Sequence, residues 1–449
     1  MQRSKGYSNA TESDLTAIQV AAQHSDYFYE RVRFLCNAIG PRPSGSPQAA
    51  AAVEYVRQQM HDLGLEVRFE PVTVRHWVRG REEAQLIRYP GQVTDANQKV
   101  VVTALGNSVP TVPEGVTAPV IVVETFEQLD RIMSAEIEGK AVLFNHRFDE
   151  FAAQAGRWEQ AYGSVVSYRI EGPSRAAQKG AVAALVRSTG STGSRLPHTG
   201  VTEYAEGARK IPAAAVTAED ADLISDLVSR GEVAIHLVLT PMNLPSEASH
   251  NVIADLRGSE FPEQIVIVSG HLDSWDLGTG ALDDASGVGV AMDVLRIIKA
   301  VNPKPKRTIR FAAWMDEEYG GEGGRAYAEE HRTDLINHIA AVEIDYGDGR
   351  PLGLSVCASD DRIAPLSRIL HAIADPVGGL VNVSDSPGVD LTAMNKAGVP
   401  AISPLQDARK YFSYHHTAAD TFDKVRASEL RQILQLIAPL VYALAQHED

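Results

Sequence analysis

The chain has 449 residues, too many for one ordinary hydrophobic core, so two domains or one domain with an insertion are expected. Its 44% hydrophobic and 22% charged residues are those of a globular protein. A formal net charge of −16 excludes a nucleic-acid backbone or an anionic membrane as the main partner, and no apolar run is long enough to span a bilayer.

The first fourteen residues, MQRSKGYSNATESD, contain no apolar run of the signal-peptide kind. The expected compartment is therefore the cytoplasm, or an extracytoplasmic space if a leader has been removed. Two segments, DYFYERVRFLCNAIG and SPQAAAAVEYVRQQMHDLG, place apolar residues at helical spacing and end at glycine. PRPSGS between them is a loop by composition. LEVRFEPVTV, EEAQLIRY and QKVVVTAL then read as strands.

From residue 109 to 245 a separate inserted unit is expected, between the Pro-rich NSVPTVPEGVTAPV and TPMNLPSE. It contains short strands (PVIVV, KAVLFN, VAALVRS, AIHLVL) and two amphipathic helices (TFEQLDRIMS, AEDADLISDLVS). STGSTGSRLPHTGVTEY reads as a mobile loop. Residues 1–108 and 246–449 would then form the two parts of one α/β domain. After residue 250, the apolar runs EQIVIVSG, RTIRFAAW, HIAAVEID, LGLSV and VPAISP alternate with helical segments. Such runs suit strands covered by helices on both faces, a three-layer α/β/α arrangement. Cys36 and Cys357 match no metal or redox spacing and are expected to be two buried thiols. Asn9 and Asn382 each head a short glycosylation pattern, which arises readily by chance.

Open α/β sheets bind ligands beyond the carboxyl ends of their strands, and this chain puts acids and histidines there four times. His271 and Asp273 follow the first run, and Asp283 and Asp284 follow ten residues later. Asp316, Glu317 and Glu318 follow the second, Asp345 ends the third, and His415 and His416 follow the last. A lone histidine near a strand end is more often structural, and Asp284 alone reads as a helix cap. Together they point elsewhere, because like charges converge on one rim only if cations neutralise them. Histidine, Asp and Glu without Cys suit Zn²⁺ in an open hydrolytic site, with Mn²⁺ or Co²⁺ as substitutes.

Four blocks, GHLDSWDLGTGALDDASG, WMDEEYGGEGGRAYAEE, VEIDYGDG and YFSYHHTAADT, resemble the zinc-dependent exopeptidases that include two-zinc aminopeptidases and glutamate carboxypeptidases. PKRTIR, LPHTGVTEY, KIPAAAVTAEDA and RKYFSYHH extend the likeness over nearly the whole chain, on the glutamate carboxypeptidase side. The resemblance implies two Zn²⁺ per chain: His271 and Asp345 on one, Glu318 and His416 on the other, and Asp283 bridging. It implies Glu317 as general base, Asp273 behind His271 as its orienting partner, and His415 in the place where several relatives carry an oxyanion-steadying Tyr. It also implies that the insertion is a protease-associated-like domain, in which His198 and Thr199 reach a substrate terminus, and that the protein is a homodimer acting on short peptides. The expected function is a carboxypeptidase or dipeptidase. The alternatives are an aminopeptidase with the same metal set, a binding protein on the same fold, and a one-zinc cyclising acyltransferase.

Overall fold

The computed structural model describes residues 9–190 and 194–447, with the side chains of Asn9 and Ala10 excepted. The leader question at residues 1–8, the Asn9 side chain and residues 191–193 of the expected mobile loop lie outside the described residues.

The chain divides into two compact units, one of residues 1–75, 246–411 and 420–449, the other of residues 76–245 and 412–419. It opens on helices. Ser46 starts the helix Pro47–Asp62 by accepting a hydrogen bond from the Ala49 amide, with Pro47 at the first helical position. The strand β1 (Glu66–Val78) follows.

The next eight strands build the sheet of the second unit: β2 (Glu82–Arg88), β3 (Gln98–Val100), β4 (Val102–Ala104), β5 (Val116–Val123), β6 (Ala141–Phe144), β7 (Ala183–Arg187), β8 (Ala213–Val216) and β9 (Ala234–Leu239). Their order is β3-β2-β9-β5-β6-β7-β8-β4. Its centre, β5 to β8, is parallel. The second unit thus begins earlier than residue 109, because β2 is hydrogen-bonded to β9 and β4 to β8. Its core gathers Val123, Val142, Phe144, Tyr168, Ala184 and Val186.

The return strands are β10 (Met242–Leu256), β11 (Phe261–His271), β12 (Arg307–Trp314), β13 (His338–Glu343), β14 (Pro351–Cys357), β15 (Leu380–Val383) and β16 (Ala401–Gln406). With β1 they order as β1-β10-β12-β11-β13-β16-β14-β15. Strands β12, β11, β13 and β16 run parallel, so their carboxyl ends share one rim. Side chains alternate between the two faces of such strands. Ile265, Ile267, Ala312, Trp314 and Ala341 pack with Tyr327, Ala328 and Met394 of short helices on one face. The intervening Val266, Val268, Phe311 and Val342 are buried too, and the helices Ser286–Val301 and Ala427–Gln446 lie on β11 and β12. Among the described residues no helix is long and apolar enough to cross a membrane. Cys36 and Cys357 are both free, but only Cys36 is buried; Cys357, at the end of β14, is half-buried.

One buried polar chain in this unit makes stability depend on pH. Arg310 grips both oxygens of Asp255 and donates to the Tyr327 hydroxyl at 2.7 Å. Tyr327 donates to His338 Nε2 at 2.8 Å, and His338 Nδ1 donates to the Asp334 carbonyl at 3.1 Å. Both ring nitrogens are satisfied in the neutral form. Burial, with the Arg310 charge nearby, pushes His338 down to about 4 from 6.5. The unfolded chain therefore binds a proton that the folded chain refuses, and stability falls as pH drops from about 6.5 towards 4. The shift corresponds to about 3 kcal/mol. A His338→Gln protein lacks this titration. Its stability relative to wild type, from denaturant melts at each pH, should rise by about that much across the window. A constant difference would refute the assignment.

Candidate metal centre

The rim at the ends of β12, β11 and β13 carries the acids. His271 is the last residue of β11; Asp316, Glu317 and Glu318 follow β12; Asp345 follows β13. His271 is almost fully buried, with Nε2 2.9 Å from Asp283 Oδ1 and 3.3 Å from Asp345 Oδ1. Its Nδ1 lies 3.0 Å from the Asp273 carbonyl, to which it donates. That bond fixes the tautomer and turns Nε2 towards the two carboxylates.

Ligand atoms of His271, Asp283 and Asp345 lie within 4.8 Å of one another. Burial disfavours a charged imidazole, yet Asp283 and Asp345 outweigh it and hold His271 well above its ordinary range. One imidazole nitrogen and two carboxylates, buried and converging, fit a divalent metal of the Zn²⁺ or Mn²⁺ kind. Glu318 is buried but is not part of this three-residue group.

The Asp273 carboxylate does something other than orient the imidazole. Its nearest oxygen is 3.9 Å from His271 Nδ1, and the orienting bond comes from the main chain instead. The carboxylate accepts the amides of Asp316, Glu317 and Glu318 at 2.8, 3.1 and 3.3 Å, and the Ser44 hydroxyl at 3.2 Å. Asp273 therefore ties the loop after β12 to the loop after β11. Asp284, fully buried, accepts the His271 amide through one oxygen and the Gly287 amide through the other. It holds the first turn of the following helix and the end of β11 together.

Glu317 is half-buried. Burial raises its carboxyl well above the ordinary range, and Asp345, Glu318 and Asp390 add to this against the pull of His271. Two buried acids that the sequence reading missed stand nearby. Glu343, the last residue of β13, and Asp390 are both raised by burial, and each carboxylate's neighbours add to the effect. Asp390 sits in PGVDLTAM, which has no strand-end signature.

Gly287 shows how tight this corner is. A Cβ there would lie 1.8 Å from the Ile344 carbonyl and 2.5 Å from both Asp284 oxygens. Gly287→Ala is expected to lose ~1–3 kcal/mol of stability, read from denaturant unfolding of the metal-free protein. An unchanged midpoint would show that the corner is looser than this.

His415 and His416 belong to the segment 412–419 of the second unit. Their rings stack with centroids 3.6 Å apart, and both are buried. His416 Nδ1 lies 3.2 Å from the Thr199 carbonyl and 3.3 Å from Arg169 Nη1, while the Thr199 amide donates to the His416 carbonyl at 2.9 Å. His198 and Thr199 are buried, so this stretch is no surface loop where it meets the histidines. Burial, with His416 and Arg169 close by, pushes His198 down to about 3. Two of the four non-glycine residues with positive φ among the described residues are Asp316 (76°) and His416 (60°). Such backbone is unfavourable for both and clusters at functional sites.

Sequence comparison gives the class that this rim of acids and histidine suggests: the chain belongs to peptidase family M28, which residues 251–441 match, and is a metallopeptidase. Within that family it is similar to Carboxypeptidase Q of Bos taurus, with 36% identity over 423 residues, 94% of this chain and 86% of that one. The crystal structure of a Peptidase M28 precursor from Shewanella amazonensis superposes with a TM-score of 0.90 at 34% identity, covering 98% of this chain and 97% of the other. A zinc aminopeptidase from Bacillus subtilis shares the fold, with a TM-score of 0.68 at 21% identity over 93% of this chain and 94% of its own.

Proposed function

We propose that this protein is a two-zinc exopeptidase that releases a residue from the carboxyl end of short peptides, or cleaves dipeptides. The observation that carries the metal reading is the buried His271 imidazole drawn between Asp283 and Asp345. These three residues would hold zinc. By the family pattern Glu318 and His416 would complete the set, with Asp283 shared, and Mn²⁺ or Co²⁺ would be substitutes. Bound there, zinc would polarise the scissile carbonyl and acidify the attacking water.

Glu317 is the base in this reading. Its carboxylate takes the proton of the attacking water and passes it to the leaving nitrogen, which asks for an acid beside the ligands rather than among them. Asp273 sets its reach by holding the Glu317 amide. His415 would donate to the oxygen that gains charge on the scissile carbonyl.

Arg169 supports the carboxyl-end preference. The residue is 5% exposed, it donates to Tyr162 Oη at 3.0 Å and to the Thr199 carbonyl at 3.4 Å, and its Nε has no partner. Among the described residues no carboxylate is bonded to it. A buried guanidinium without a counter-charge is costly, and a planar fork suits a terminal carboxylate.

The test is cleavage of one dipeptide offered free, N-acetylated and C-amidated, with zinc and with a chelator. Amidation should abolish cleavage, and the chelator should abolish it on every substrate. Loss on acetylation alone would replace this reading with an aminopeptidase.

A further inference from the structure

The loop between His271 and Asp283 carries a candidate ligand at each end and is held along its main chain by two charged side chains from distant parts of the sequence. Arg42 is fully buried. Its Nε donates to the Leu272 carbonyl at 2.8 Å, Nη1 to Thr279 O at 2.7 Å and Gly40 O at 3.1 Å, and Nη2 to Gly280 O at 2.9 Å. The main chain of Arg42 also exchanges hydrogen bonds with Ser274.

Asp420 is 4% exposed and grips the other end. One of its oxygens accepts the Ala281 and Leu282 amides at 3.1 and 2.7 Å, and the other accepts the Asp283 amide at 3.2 Å. The Thr279 amide donates to its carbonyl at 2.7 Å. The cation thus takes the loop's carbonyls and the anion its amides. Gly280 permits the approach: its φ is +56°, and a Cβ there would lie 2.3 Å from Ser274 Cβ and 2.8 Å from Arg42 Nη2.

We propose that Arg42 and Asp420 are positioning residues that clamp the loop 272–283 and hold Asp283 against His271 before any cation arrives. They thereby set the affinity of the metal centre. This rests on the reading that a metal occupies His271, Asp283 and Asp345. An asparagine at 420 would turn an N–H towards one of the loop's own amides, and a lysine at 42 has no fork to span three carbonyls.

The experiment has two arms. In metal-free wild type, hydrogen–deuterium exchange should show the amides of 281–283 already protected; rapid exchange that slows only on adding zinc would overturn the clamp, whether or not any variant folds. In Asp420→Asn and Arg42→Lys, that protection should fall, while zinc affinity, measured against a chromophoric chelator, drops ~10–100-fold with the far-ultraviolet spectrum unchanged. Wild-type affinity in folded variants would overturn the proposal alone. A wild-type protein that binds no zinc would overturn the metal reading and this proposal with it.

Discussion

Glu317→Gln should lower turnover by about 10²-fold or more while zinc content and affinity stay at wild-type values. Glutamine keeps the shape of the side chain and leaves the hydrogen bond from the main-chain N–H of residue 317 to Asp273 intact. It cannot accept the proton of the attacking water, and it stands outside the His271, Asp283 and Asp345 group, so the metal should not register the change. The metal-free variant should also be no less stable than wild type. Burial and the neighbouring Asp345, Glu318 and Asp390 already disfavour a charge at 317, and glutamine has none. Steady-state kinetics beside zinc analysis decides the matter. Near-wild-type turnover would remove Glu317 as the base, and lost zinc would make it a ligand.

Arg169→Gln should reduce kcat/KM about 10²-fold on a peptide with a free carboxyl end while zinc affinity stays at the wild-type value. A charge-assisted, two-pronged hydrogen bond contributes roughly 1.5–3 kcal/mol, which converts to about 10- to 150-fold. A competing role is visible in the geometry. Arg169 Nη1 is 3.3 Å from His416 Nδ1, so the guanidinium also helps to position a ring that would ligate a metal. If that were its task, the substitution would weaken zinc binding, and saturating zinc would restore turnover. Kinetics on the free-carboxyl peptide beside a zinc titration separates the two roles.

What the sequence showed and hid follows from where each residue does its work. His271, Asp316–Glu318 and Asp345 were legible because each follows a mostly apolar run, and parallel pairing of β12, β11 and β13 delivers such ends to one rim. Arg42 and Asp420 act on backbone groups, so no partner residue advertises them. Arg169 was missed for another reason. The helix Trp158–Ile170 buries Trp158, Ala161, Val165, Tyr168 and Arg169, and its small and polar residues blur the helical period. The unit boundary was placed late because EEAQLIRY and QKVVVTAL look like strands of any sheet; only their pairing with β9 and β8 assigns them. Glu343 was read as part of a buried strand, which it is, and nothing in the pattern marked its carboxylate as facing other acids.

Residues 412–419 pack with the second unit although they stand more than 160 residues after its last strand, Phe412 against Phe148, Trp158 and Tyr162, and His416 against Thr199. That arrangement limits how such a protein can be rebuilt by descent or by design. The second unit is not a cassette that can be exchanged at its two chain crossings alone. A donor unit would need to bring its own version of this octet, or have its surface reshaped to receive the resident one. Chimaeras that swap 76–245 and leave 412–419 behind should therefore fold with His415 and His416 misplaced.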